Sequence, residues 1–144
     1  MKKSTAIFFL TLLSSLSYSQ GKIFSAIKKG DIQYISEYIA KGKDLNVTVK
    51  EFAKDDYTKK KISYSFEILE YAATHADESI ISLFLNNKDR FNNFQVSLNK
   101  AFAASISGGN MKVIKLLLDS GADINAICQI CYGQVAIQTA LEYS

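Results

Sequence analysis

The sequence contains no proline, no tryptophan, a single histidine, two cysteines and seven glycines in 144 residues. These shortages narrow the functional classes. With His75 as the only histidine, no Ser-His-Asp or Cys-His pairing can be argued from spacing. A metal site built on the two cysteines would need two further ligands. A glycine-rich phosphate loop is also missing, because Gly108-Gly109 reads as a turn between helices. No cofactor box stands out, since the Leu, Ile and Phe residues at helical spacing read as core. Charge is near balance, with 17 basic against 14 acidic residues. That gives no support for nucleic-acid or acidic-membrane binding.

What is present begins with the leader. Lys2 and Lys3 form a basic start, and Ala6 to Leu16 is a largely apolar stretch too short to span a bilayer comfortably. Ser17 and Ser19 are the small residues before a cut. Residues 1–19 therefore read as a secretory signal peptide of bacterial type. Removing Lys2 and Lys3 leaves 15 basic residues against 14 acidic, a net of +1 on a mature chain that starts at Gln20. An exported protein with Cys128-x-x-Cys131 is expected to carry the pair as a disulfide. The expected location is the periplasm or the extracellular space, with no membrane contact after cleavage.

The most regular stretch is residues 99–126, NKAFAASISGGNMKVIKLLLDSGADINA. Phe102 and Ile106, then Val113, Ile114, Leu117 and Leu118, recur at helical spacing. Gly108 and Gly109 interrupt them, Asn110 suits a helix start, and Gly121 suits a helix stop. The pattern repeats. Leu69, Ala72 and Ala73, then Ile80, Ile81, Leu83, Phe84 and Leu85, stand 33 residues earlier. Asp77 takes the place of Asn110. Ile23, Ala26 and Ile27, Asp31, then Ile35, Tyr38 and Ile39 repeat it again. Asp44-Leu45-Asn46 matches Asp123-Ile124-Asn125. At the second exit Lys88 replaces glycine, so Asn87 or Lys88 is expected to supply any left-handed turn.

Gly109-Asn110, Val113 to Leu118 and Gly121 to Ala126 resemble an ankyrin repeat in residue type and in spacing, and 33 residues is that family's period. The first half departs from the pattern, with Phe102 where the family has Leu, Ala103 where it has His, and no Thr-Pro opening anywhere. The resemblance implies an all-α solenoid of stacked helix-turn-helix units. The repeats are expected near 21–47, 66–98 and 99–132, with a partial one at 133–144, all within a domain of 20–144. The chain then ends in a half-repeat cap or is the first part of a larger ankyrin scaffold. Between repeats one and two lie 13 extra residues. Val47 to Val49 and Ile62 to Phe66 alternate with period 2, so residues 48–64 are expected to form a long β-hairpin finger.

The resemblance implies a non-enzymatic, monomeric module that binds a protein partner through hairpin tips and the face made by first helices. An inhibitor or immunity-type role is one version. Candidate contacts are Lys54, Asp55, Tyr57 and Lys59 on the finger, and Glu70, Tyr71 and Thr74 on the first helix of repeat two. Glu67, Glu70, Asp77 and Glu78 read as a solvated face. The competing expectation is a thiol–disulfide redox protein using Cys128 and Cys131, although that motif needs a βαβ context.

Overall fold

The structure, a computed structural model, describes residues 21–54 and 59–125, and among these residues alternating apolar helices and glycine or Asx breaks build three helix pairs. The first pair is α1 (residues 21–29) and α2 (Ile32–Ala40). The second is α3 (Ile68–His75) and α4 (Glu78–Leu85). The third is α5 (Phe94–Gly108) and α6 (Met111–Asp119). Strands β1 (Thr48–Lys54) and β2 (Lys61–Glu67) form an antiparallel hairpin between the first pair and the second.

The second helix of each pair starts as the sequence requires. The Asp31 carboxylate accepts from the Tyr34 amide at 3.0 Å, Asp77 from Ser79 and Ile80, and Asn110 from Lys112 and Val113. Each thereby satisfies amides that have no partner inside the helix. Gly30 and Gly109 make the inter-helix turns with φ of +70° and +68°. The second pair has Ala76 at that place and turns through extended backbone instead, with φ of −111°.

Two expectations need correction. No left-handed residue follows α4: Asn87 has φ of −116° and Lys88–Arg90 is a 3₁₀ turn. Without a glycine the chain keeps winding right-handed, where a Cβ costs nothing. The Asn87 side-chain amide donates to the Leu83 carbonyl at 2.9 Å and occupies a helix-end acceptor. The second correction concerns α5. It starts at Phe94, ahead of the repeat boundary expected at residue 99, and runs for 15 residues. Asn93 caps the new start by accepting from the Val96 amide. Ser97 and Leu98 extend the buried face by another turn.

One apolar core runs through all three pairs. Ile23 and Ile27, Ile35, Leu69, Ile80, Ile81 and Phe84, Leu98, and Val113 and Leu117 are at most 1% exposed. Such short helices have little stability alone, and burial against neighbours supplies it. Helix α3 packs along α5, and Ala72, Ala73, Ala101 and Ala103 on these two helices are all buried. The approach is close enough that a Cβ on Gly108 would lie 3.1 Å from the Thr74 carbonyl oxygen.

Polar contacts fasten the first exit to the second and the third exit to α5. Arg90 donates from Nη1 to the Ile39 carbonyl at 2.8 Å and from Nη2 to the Lys43 carbonyl, closing the end of α2. Asn46 donates to the Arg90 carbonyl and accepts from the Asn92 amide. Asn99 accepts from the Asp123 amide, and Gln95 donates to the Gly121 carbonyl. The matched triplets Asp44-Leu45-Asn46 and Asp123-Ile124-Asn125 adopt the same local turn, with Asp accepting from the second following amide at 2.8 and 2.9 Å. Lys112 on α6 pairs with Glu78 on α4 at 3.2 Å. Among the described residues no helix is long and apolar enough to cross a membrane.

Arg90→Ala is expected to lower the unfolding free energy by about 1–2 kcal/mol, because it removes two charge-assisted bonds at a half-exposed site. Urea denaturation measures this. Arg90→Lys should recover little of the loss, since an ammonium lacks the fixed fork that reaches two carbonyls.

Candidate interaction surface

The hairpin register assigns every strand side chain to one of two faces. Val49 pairs with Phe66, Glu51 with Tyr64 and Ala53 with Ile62 on one face. Thr48 pairs with Glu67, Lys50 with Ser65, Phe52 with Ser63 and Lys54 with Lys61 on the other. Period-2 alternation makes the faces chemically distinct.

The inner face rests on the helices. Val49 and Phe66 pack against the core. Phe66 meets Tyr71 of α3 edge-on at 6.2 Å, and Phe24 of α1 meets the same ring edge-on at 5.2 Å. His75 stacks on Tyr71 at 4.2 Å, and its Nδ1 lies 3.0 Å from the Tyr71 carbonyl oxygen. The Tyr71 hydroxyl donates to Glu51 Oε1 at 3.1 Å. Burial, then the hydrogen bond and charge of Glu51, push the Tyr71 phenol up to about 12. His75 is thus a helix-end structural residue in an aromatic stack.

The hairpin's base is tied to α5. Glu67 is the last residue of β2 and precedes α3. Its carboxylate accepts from the Ser97 hydroxyl at 2.8 Å and pairs with Lys100. Its amide donates to Glu70 Oε2 at 3.1 Å. Burial pushes the Glu70 carboxyl above the usual range, against the opposing pull of that amide.

The expected contact residues are therefore distributed differently from the sequence reading. Glu70 and Tyr71 are 3% and 4% exposed, so neither presents a side chain at the surface. The hairpin and α1 cover the part of α3 on which they sit. Glu67 and Glu70 are held groups rather than members of a solvated face. Thr74 is half-buried and donates to the Glu70 carbonyl. Lys54 and Lys59 are exposed, and Lys59 has φ of +57°. Asp55 and Tyr57 lie outside the described residues, as do the signal-peptide stretch, Cys128, Cys131 and the partial repeat.

The outer face carries residues that the sequence reading missed. Phe52 is 60% exposed, with Lys61 Nζ 4.1 Å from its ring centroid. Lys50 and Lys54 flank it along β1. Lys54 and Lys61 stand directly opposite each other, an arrangement of like charges that costs stability. The signal was available in the alternation of Thr48, Lys50, Phe52 and Lys54, once the strand is extended past Val49. At the foot of this face is a cleft of about 220 Å³. Leu45, Phe91 and Val96 supply its apolar lining, and Thr48, Asn92 and Asn93 supply polar groups. Among the described residues no cluster of His, Cys, Asp and Glu could hold a metal ion.

Above pH 10 the unfolded chain releases the Tyr71 proton while the folded chain holds it to about 12. Stability therefore falls as pH rises through that window. Tyr71→Phe should remove up to about 1.4 kcal/mol per pH unit of this fall. Urea titrations of both proteins between pH 9 and 12 would show the difference.

The family model for the ankyrin repeat matches residues 102–129, which includes the C-terminal part of α5 and all of α6. Comparison with curated proteins and with solved structures yields no match. The capped α5–α6 turn, the repeated helix pairs and this match agree, and residues 102–129 are similar to an ankyrin repeat.

Proposed function

We propose that the protein is a non-enzymatic binding module for another protein, working outside the cytoplasm after loss of residues 1–19. Ankyrin repeats are generally protein-interaction modules, which is the coarse basis for this reading. In it, the three helix pairs stack as a short solenoid, the hairpin serves as a finger, and the outer hairpin face meets the partner. The observation that carries it is the asymmetry of the hairpin. One face is committed to the helices, while the other exposes 60% of Phe52 among lysines. An exposed aromatic ring on a face that packing leaves uncovered offers a partner a large apolar contact, the residue type enriched at interface cores. An inhibitor or immunity-type role, in which the outer hairpin face occludes an exported enzyme, is the specific form we favour.

Affinity capture from the native envelope tests this reading. The variant replaces residues 53–62 by Asn-Gly, which closes the hairpin at the Phe52–Ser63 pair and retains Glu51, Tyr64 and Phe66 on the helices. A partner retained by the wild type and lost by the variant is the expected result; equal capture by both rules out residues 53–62 as the contact, and Phe52→Ser then tests the retained outer face. Mass spectrometry of the exported product should give Gln20 as its first residue, and an intact Met1 would remove the export claim.

A further inference from the structure

The outer face of the hairpin and the cleft at its foot form one continuous track. Thr48 and Glu67, the first cross-strand pair, belong to both. From there the same face runs through Lys50 and Phe52 to Lys54 and Lys61. We propose that this track binds an extended acidic segment of a protein partner, anchored by one large apolar side chain in the cleft. The inference rests on the binding-module reading and names the chemistry of its partner.

The cleft measures about 220 Å³, smaller than the roughly 300–1,000 Å³ typical of sites for whole small molecules. It suits a single side chain. Leu45 and Phe91 are buried beneath it and Val96 is 44% exposed at its rim. The Asn93 side-chain oxygen is taken by the Val96 amide, which leaves its NH₂ group to donate. With the Asn92 side-chain amide and the Thr48 hydroxyl, both at the cleft, it offers partners to the main chain of a bound segment. The carboxylate at the cleft, Glu67, is already engaged by Ser97 and Lys100. It repels a second carboxylate, so the acidic positions begin one step further along, at Lys50.

The spacing along the track is that of a strand. Alternate residues of β1 lie about 6.6 Å apart, and an extended ligand has the same repeat. An apolar residue over the cleft then places the second residue after it near Lys50. The sixth after it falls between Lys54 and Lys61, which oppose each other and whose repulsion an anion would relieve. Among the described residues of this face, Glu67 is the only acid.

The test uses the mature full chain and a fluorescent peptide, Phe-Ser-Glu-Ser-Thr-Ser-Glu, in both sequence orders. Binding is read by anisotropy at low and high salt. One order should bind and weaken with salt. Replacing Phe by Ser, or both Glu by Lys, should each weaken it by about tenfold or more. Lys50→Glu and Lys61→Glu should weaken the acidic peptide and strengthen the lysine one. Val96→Trp, which fills the cleft from its exposed rim, should abolish the preference for Phe over Ser and preserve the salt dependence. Circular dichroism checks that each variant is folded.

Equal binding of the acidic and basic peptides, or no binding of either up to millimolar concentration, overturns the proposal. So does single-stranded DNA or an anionic phosphatidylserine vesicle that competes through Lys50 without any effect of Val96→Trp. If the peptides fail while a captured partner still requires the hairpin, the acidic-segment proposal falls and the binding-module reading stands.

Discussion

Tyr71 is where the hairpin, the first helix pair and the second come together. Its ring meets Phe24 from α1 and Phe66 from β2, its hydroxyl reaches Glu51 on β1, and His75 stacks behind it. A two-stranded hairpin has little stability by itself. This one is held because one of its faces has an aromatic surface to lie on. Helix α3 is in turn closed off: six of its eight residues are buried, by α5, by α1 and by the hairpin. The face on which the sequence places contact residues of a first helix is occupied by the protein's own chain.

That commitment decides what remains available. Once Val49, Glu51, Tyr64 and Phe66 face inward, alternation obliges Lys50, Phe52 and Lys54 to face out. The same geometry brings Thr48 and Glu67 to the top of the cleft, beside the start of α5. The exposed aromatic and basic surface thus lies on the back of the hairpin and not on the helix face. It is a consequence of packing, not of a separate motif.

Much of the helical scaffold was legible because its signals are local. Asp31, Asp77 and Asn110 cap helices by bonds within three residues, and glycine at positive φ is a property of one residue. The Lys88 exit was harder. The missing glycine was visible, but the alternative, a right-handed 3₁₀ turn, depended on Arg90 finding the Ile39 and Lys43 carbonyls 51 and 47 residues away. The early start of α5 depended likewise on Ser97 and Leu98 having buried places to occupy. Glu70 was read as solvated because three other carboxylates stand near it in the chain. It is buried because it serves the Glu67 amide under a covering hairpin.

By itself, the amino-acid sequence determined the 33-residue period, the helix pairs, their caps and the existence of a hairpin insertion, since each follows from the spacing of residue types along the chain. Only the tertiary structure decided that Glu70 and Tyr71 are interior, that Phe52 is surface, and that a cleft joins the lysine face. Those outcomes depend on which hairpin face lies on α3. Strand alternation divides the residues between two faces, and the packing of Val49 and Phe66 with the contacts of Phe66 and Glu51 to Tyr71 decides which of them lies on α3.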